Sequence, residues 1–229
     1  MWRILILILL AGPALAEGGI LDAKYAGPTT RYGHDALGPG FEWGAIDIQT
    51  AELNLRLVLP EELVFEDTAP RLVDLDRDGQ NEVLVVESHR DQGSRLALWG
   101  PKGRIAAGPF IGQRFRWLAV IGAADFNGDG QDEVAYIETP HLGKTLKVLR
   151  RDGQTLSEIA SLEGLTNHHL GSSVIESAIL TCEGLPLMLT ADAAWQNIMA
   201  TRMDGDELTT RPVGAYDGPA SIAQYADCD

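Results

Sequence analysis

The chain has 229 residues, 45% of them hydrophobic, which is long enough for one large domain with a substantial core. Asp and Glu number 33 against 18 Lys and Arg, so the net charge is -15 at pH 7. A balance this acidic argues against nucleic acid as a partner, because phosphate groups are bound by clustered Lys and Arg.

The N-terminus is the first element of the chain and has the features of a signal peptide. Arg3 precedes an apolar run at 4–10, and the small residues of Ala14–Ala16 provide a cleavage site. The run is too short to span a bilayer, and no cysteine follows the cleavage site to accept a lipid. We therefore predict a signal peptide at 1–16 and a mature chain at 17–229 that is exported, periplasmic or extracellular, and does not insert into the membrane.

The rest of the chain consists of short runs rich in Val, Ile, Leu, Trp and Tyr, separated by turn residues, with no long segment at helical period. This pattern predicts an all-β fold. Two units, at about 63–112 and 113–165, repeat one plan, and looser groups lie within 31–60 and 173–214. The predicted strands are Trp43–Ile48, Leu53–Leu59, Pro70–Val73, Val83–Glu87, Arg95–Trp99, Trp117–Ala124, Val134–Glu138, Thr145–Arg150, Leu156–Ala160, Leu185–Thr190, Asn197–Met203 and Leu208–Pro212.

Four short antiparallel strands per period of about 50 residues are typical of a propeller blade. The two repeated units and the two looser groups give about four blades, or five if the chain ends pair to complete another. A blade leaves an apolar face uncovered unless a neighbour stacks on it, which favours a closed ring. We therefore predict that 17–229 forms a single small β-propeller domain of about four to five blades.

Each repeated unit contains a loop in which oxygen-bearing side chains alternate with other residues, and Gly79 and Gly130 allow a sharp turn within these loops. A calcium ion takes six to eight oxygen ligands, and alternate residues of a tight loop can converge on one ion. The pattern predicts about two calcium ions, one per loop; a solvated Asp-Gly turn is the simpler alternative for either loop alone. The oxygen donors are Asp74, Asp76, Asp78 and Glu82 in the first loop and Asp125, Asn127, Asp129 and Glu133 in the second.

The two loops do not fit an EF-hand. An EF-hand has a glutamate at loop position twelve and a helix on each side. Position twelve is Val85 in the first loop and Tyr136 in the second, and both loops are followed by sequence typical of strands. We therefore expect the loops to connect strands.

The pattern Asp-x-Asp-x-Asp-Gly-x-x-Glu between two strands resembles the FG-GAP or VCBS repeats, which build the calcium-binding β-propeller of integrin α subunits and of many exported bacterial proteins. The resemblance covers about residues 68–160. It implies that the eight alternating donors are side-chain ligands and that Gln80 and Gln131 contribute backbone carbonyl groups. The family commonly has Asp at the ninth loop position. This chain has Glu82 and Glu133 there, which leaves open whether they bind the ion directly or through water.

The two loops also differ in ligand charge. The first has four carboxylates, whereas the second has three together with Asn127. Carboxylates about 4 Å apart repel by up to about 4 kcal/mol per pair at an effective dielectric constant of 20, and a bound cation turns that repulsion into attraction. Because ligand charge is one control of affinity, we predict that the first loop binds calcium more tightly.

The remaining candidates are two cysteines and one loop. Cys182 and Cys228 are the only cysteines, and in an exported chain we predict a disulfide between them instead of a catalytic thiol. His168 and His169 are neighbours, so on a strand they would face opposite ways and would not chelate one metal ion. The segment Asn167–Gly171 is a candidate functional rim, since binding residues concentrate on loops.

The sequence contains no Gly-x-Ser-x-Gly nucleophile turn, no phosphate-binding Gly-x-x-x-x-Gly-Lys loop and no His-Glu-x-x-His zinc helix. We therefore predict an exported, calcium-binding and non-enzymatic propeller that uses calcium structurally and binds an unknown protein or glycan. Two alternatives stay open. One is a hydrolase or lyase with its active site at the propeller axis, and the other is an accessory module of a larger exported complex.

Overall fold

The structure, a computed structural model, describes residues 19–225 and Cys228. The predicted signal peptide at 1–16 lies outside the described residues. Within them the chain is all-β, as predicted, with one short helix near the C-terminal end. Among the described residues, no helix has the length and apolar character needed to cross a bilayer.

A group of three antiparallel strands begins the fold, with β2 at its centre: β1 (Ile20–Pro28), β2 (Glu42–Thr50) and β3 (Asn54–Val58). A short strand, β4 (Leu63–Glu66), pairs with the start of β2. The sequence pattern did not predict β1. Its run mixes charged residues with Gly27 and Pro28, so it lacks the apolar continuity of the other strands.

Three four-stranded antiparallel meanders follow, called here the first, second and third units. Most of their strands lie where the sequence predicts strands; β8 in the first unit and β14 in the third were not predicted. The first unit comprises β5 (Arg71–Val73), β6 (Glu82–His89), β7 (Gly93–Gly100) and β8 (Gly103–Ala107); the second comprises β9 (Leu118–Ala124), β10 (Glu133–Glu138), β11 (Thr145–Asp152) and β12 (Thr155–Glu163); after the short β13 (Leu165–Thr166), the third comprises β14 (Ala178–Cys182), β15 (Leu185–Asp192), β16 (Asn197–Asp204) and β17 (Glu207–Ala215).

Hydrogen bonds join these groups into two curled sheets. The larger has twelve strands and runs β1-β2-β4-β6-β7-β8-β12-β11-β10-β9, with β3 beside β2 and β5 beside β6. Strand β4 pairs with both β2 and β6 and so connects the N-terminal group to the first unit. A single parallel pair, Ala107 with Thr155, connects the first unit to the second. The smaller sheet has five strands and contains the third unit.

The core consists of apolar layers between successive groups of strands. Successive side chains of a strand point to opposite faces, so one central strand can serve two layers. In β6, Val83 and Val85 pack towards the N-terminal group, whereas Leu84 and Val86 pack in the layer that contains Trp117 of the second unit. Strand β10 repeats the arrangement, because its alternate residues lie in that same layer and in the layer shared with the third unit.

The outer face of the third unit is covered by the C-terminal segment. The helix α1 (Pro219–Ala223) packs there through Ile222, which is buried. The predicted disulfide between Cys182 and Cys228 is present, with 5.5 Å between the Cα atoms. It ties strand β14 to the chain end. A helix of five residues is too short to produce a periodic sequence signal, which explains why it was not predicted.

Candidate metal centres

The two acidic loops occupy the same place in consecutive units, between the first and second strands of a meander. Residues 74–81 connect β5 to β6, and residues 125–132 connect β9 to β10. The same connection in the third unit is the two-residue turn Glu183-Gly184, in which both residues have positive φ angles (54° and 85°). Positive φ angles at both central residues are typical of the type I′ turn, the common two-residue connection of a β-hairpin. The acidic loops are therefore elaborations of a hairpin connection.

The first loop brings three carboxylates together. Single carboxylate oxygens of Asp74, Asp76 and Asp78 all lie within 4.8 Å of one another. Backbone N–H groups hold two of these side chains in place. Asp78 and Gly79 donate to the two oxygens of Asp74 at 3.1 and 3.0 Å, and Gln80 donates to Asp78 at 2.8 Å. Three converging carboxylates suit a hard cation such as calcium, so the residues present fit the predicted ion.

Glu82, the ninth-position residue of the first loop, does not belong to this group of three. Its Oε2 accepts the N–H of Leu75 at 3.2 Å, and its Oε1 accepts a hydrogen bond from Arg151 at 2.8 Å. Burial raises the pKa of Glu82, although these two donors act in the opposite direction. The sequence predicted four crowded carboxylates; the structure places three together and uses Glu82 to hold the start of the loop.

The second loop repeats the backbone pattern of the first. Asp125 Oδ2 accepts the N–H of Gly130 at 3.0 Å, and Asp129 Oδ1 accepts the N–H of Gln131 at 2.9 Å. The hydrogen bond from Gln131 is the main reason why the pKa of Asp129 is lowered. Asn127 takes the middle position and accepts the N–H of Asp129 at 3.1 Å. In this loop, all of whose residues the structure describes, no three carboxylates converge as they do in the first.

One oxygen of the second loop has no partner among the described residues. Asp125 Oδ1 is buried and forms no hydrogen bond. Removing a carboxylate oxygen from water without a donor is costly, and in folded proteins such atoms are usually satisfied. A cation bound at this loop would supply the missing interaction.

Glu133 has the same role in the second loop that Glu82 has in the first. It is fully buried, its Oε2 accepts the N–H of Phe126 at 3.0 Å, and its Oε1 accepts two hydrogen bonds from Arg150 at 3.1 and 2.5 Å. Burial raises its pKa. Both ninth-position glutamates therefore direct their oxygens at a backbone N–H and an arginine, which explains how a residue longer than Asp is accommodated.

Three arginines that sequence reasoning missed surround the loops. Arg150 and Arg151 are adjacent on β11 and point to opposite faces. Arg150 contacts Glu133 of its own unit, whereas Arg151 contacts Asp76 of the first unit at 2.8 Å. Arg77 extends from the first loop to the second, where it lines a cavity of about 560 Å³ beside Asp125. For Arg150 and Arg151 the available sequence signal was two consecutive arginines at the end of the predicted strand Thr145–Arg150.

The candidate rim Asn167–Gly171 divides into buried and exposed parts. Asn167 and His168 are buried, and His168 Nδ1 lies 2.8 Å from His141 Nε2. His169 points elsewhere and stacks on Trp195 with 3.7 Å between ring centroids. The two neighbouring histidines therefore have different surroundings and do not chelate a common ion. Leu170, next along the segment, is 70% exposed.

A polar network near this segment is enclosed by protein. Glu66 Oε1 lies 2.7 Å from His34 Nδ1, and its Oε2 accepts a hydrogen bond from Ser88 at 2.6 Å. Ser88 in turn lies 2.6 Å from Ser94. Glu66 and both serines are buried, so this His, Glu and Ser combination holds strands β4, β6 and β7 together.

Comparison with known proteins supports the resemblance seen in the sequence. A family model described as an FG-GAP-like repeat matches residues 74–136, a span that contains both acidic loops. The recognition of FG-GAP/VCBS-type repeats in this segment is therefore confirmed. The chain is therefore all-β and contains an FG-GAP-like repeat segment at residues 74–136. No curated protein and no solved structure shows significant similarity to the chain.

Proposed function

We propose that this chain is an exported calcium-binding β-propeller of about four to five blades that acts as a non-enzymatic module binding another protein or a glycan. The observation that carries the proposal is the convergence of Asp74, Asp76 and Asp78 within a segment that matches an FG-GAP-like repeat. Ions in the two loops would be structural, with the side chains of Asp74, Asp76 and Asp78 as ligands in the first loop and those of Asp125, Asn127 and Asp129 in the second. Glu82 and Glu133, directly or through water, and the backbone carbonyl groups of Gln80 and Gln131 complete the predicted ligand sets.

A structural role for the ions follows from where the loops lie. Each loop connects two adjacent strands, and its carboxylates contact arginines of its own or the neighbouring unit. A cation would neutralise the crowded carboxylates and fix both strand ends. The ion would therefore stabilise the folded state by a free energy that rises with the logarithm of its concentration above the dissociation constant.

Packing supports the propeller. Strands β6 and β10 each contribute side chains to two apolar layers, as stacked blades require. The N-terminal group also meets the segment that leads into the third unit, because the Gly171 N–H donates to the Ala36 carbonyl oxygen at 2.8 Å. This contact links the loop before β2 to the connection between the second and third units.

Export is supported by the disulfide between Cys182 and Cys228, since such bonds persist in oxidising compartments. The binding role is supported by exposed apolar side chains on loops, including Leu142 and Leu170, which are 62% and 70% exposed. In the network of His34 and Glu66, Glu66 is buried and His34 is only partly exposed, so a substrate has less access to it than to these loops.

The test of calcium binding is thermal unfolding of the mature chain with calcium, with magnesium and with chelator. A hundredfold excess of calcium over the dissociation constant of a site is expected to add about 2.7 kcal/mol per site to the unfolding free energy. The double variant Asp74→Asn/Asp125→Asn should lose most of this response. Superimposable melts in calcium and chelator would refute the metal sites.

The binding role requires a second measurement. Calcium-loaded protein would be applied to a glycan array and used to co-purify partners from the exporting cell, with Leu170→Asp as the matched variant of the exposed loop. Specific retention that is weakened by this variant would support the module. If the purified wild-type protein cleaves an array glycan by hydrolysis or by elimination, the enzymatic alternative is favoured.

A further inference from the structure

The two acidic loops are joined directly by Arg77, the fourth residue of the first loop. Its Nε and Nη2 atoms donate to Asp132 Oδ1 at 3.0 and 2.6 Å, and Nη2 also lies 3.5 Å from Asp125 Oδ2. Asp125 is the first donor of the second loop, and Asp132 is its last residue before β10. A side chain from one candidate site therefore contacts both ends of the other.

Arg77 adopts a backbone conformation that favours glycine. Its φ angle is 54°, in the left-handed region, and Gly128 at the same position of the second loop has a φ angle of 76°. A residue with a β-carbon is disfavoured there, and glycine is not. A β-carbon at Gly128 would also lie 2.9 Å from Leu185, whereas at Arg77 the contacts of the side chain with Asp132 and Asp125 offset the backbone cost.

The contact with Asp125 leaves one of its oxygens available. Oδ2 receives the Gly130 N–H and the Arg77 guanidinium, whereas Oδ1 is buried without a hydrogen-bond partner. Arg77 therefore orients Asp125 without occupying the oxygen that lacks a partner. This unsatisfied oxygen points to a cation at the second loop independently of the acidic cluster in the first.

We propose that Arg77 couples the two calcium sites, so that calcium in the first loop raises the affinity of the second. The inference rests on the proposed function. An ion held by Asp76 and Asp78 fixes the backbone on both sides of Arg77 and thereby the guanidinium. The fixed guanidinium holds Asp125 and Asp132, so the second loop loses less conformational freedom when it binds its own ion. Linkage requires the second ion to strengthen the first by the same factor.

Electrostatic repulsion opposes this coupling, because the guanidinium is positive and lies near a ligand of the second ion. Asp132 compensates that charge at 2.6 Å and is not one of the predicted ligands. The Arg77–Asp132 pair therefore adds no net charge to the second site. With the charge compensated, the ordering of Asp125 is the larger effect.

The test is a thermodynamic cycle on the full mature chain, with calcium affinity of the second loop measured by isothermal titration. The first site is removed by Asp74→Asn/Asp78→Asn, once in the wild-type background and once with Arg77→Gly. We expect removal of the first site to weaken the second about fivefold in the wild-type background, at the lower end of typical couplings, and less than about twofold with Arg77→Gly. Loss of the Asp74 and Asp78 charges has the same direct electrostatic effect on the second loop in both backgrounds, so this effect cancels when the two changes in affinity are compared.

Controls separate the possible failures. Arg77→Gly relieves the left-handed strain, so it is expected to fold, and Arg77→Lys keeps the charge without the two-pronged contact and should also lose the coupling. If removal of the first site weakens the second by the same factor in the wild-type and Arg77→Gly backgrounds, or if Arg77→Lys keeps the full coupling, the role of Arg77 is overturned and the calcium sites are not affected. Absence of calcium binding in every protein would overturn the proposed function itself.

Discussion

The variant Asp78→Asn separates the cost of the crowded carboxylates from the benefit of a bound ion. Asp78 is exposed and forms none of the described ion pairs, and the amide oxygen of Asn can still accept the Gln80 N–H. The substitution removes two of the three like-charge pairs within 4.8 Å, those with Asp74 and Asp76. At the dielectric constant of water each pair costs about 0.9 kcal/mol, so the relief is about 2 kcal/mol.

Without calcium, Asp78→Asn should therefore be more stable than the wild type. For a chain of this size, about 2 kcal/mol corresponds to a rise in melting temperature of about 3–7 °C. With calcium the difference in melting temperature between Asp78→Asn and the wild type should become smaller, because the variant has lost a charged ligand and binds the ion more weakly. Differential scanning calorimetry at low salt, in chelator and in calcium, measures both effects.

The control for this variant is Asp91→Asn, which removes one negative charge from the exposed turn between β6 and β7. It should change stability by less than about 0.5 kcal/mol and leave the calcium response unchanged. A melting temperature of Asp78→Asn below that of the wild type in chelator would contradict the electrostatic reasoning. A calcium response as large as that of the wild type would show that Asp78 is not a ligand.

Local sequence patterns predicted most of the strands and the two loops because each depends on neighbours in the chain. The continuous apolar run Val83–Val86 indicates a strand buried on both faces, and the structure buries both of them. The spacing of Asp74, Asp76 and Asp78 brings three carboxylates to one side of a tight turn. Strand β1 was missed because only Ile20 and Ala26 of its nine residues are buried and charged residues lie between them, and strand β4 because four residues give too short a run.

Contacts between units could not be predicted in the same way. Arg77 and Asp132 are 55 residues apart, and Arg151 and Asp76 are 75 residues apart. Each contact depends on how two meanders are placed, which no local period encodes. The hydrogen bond from Arg151 to Glu82 likewise joins residues 69 positions apart, which loop spacing does not encode.

Three further predictions concern affinity, the disulfide and pH. The first loop should bind calcium more tightly than the second in titrations of single-loop variants, and Asn127→Asp should narrow the difference; equal affinities would contradict the charge argument. Replacing Cys182 and Cys228 by Ser opens a loop of 46 residues and should cost about 4 kcal/mol in denaturant unfolding, whereas the wild type in reductant should match the variant. Burial, with a smaller effect of His168, lowers the pKa of His141 to about 4, below its unfolded value of about 6.5. The unfolded chain therefore takes up this proton first as pH falls. The stability is complete above about pH 6.5 and is lost progressively down to about pH 4, by about 1–2 kcal/mol after allowance for partial exposure. His141→Gln should remove that part of the difference between unfolding free energies at pH 7.5 and pH 4.5, and an unchanged difference would show that the His141–His168 contact does not carry it.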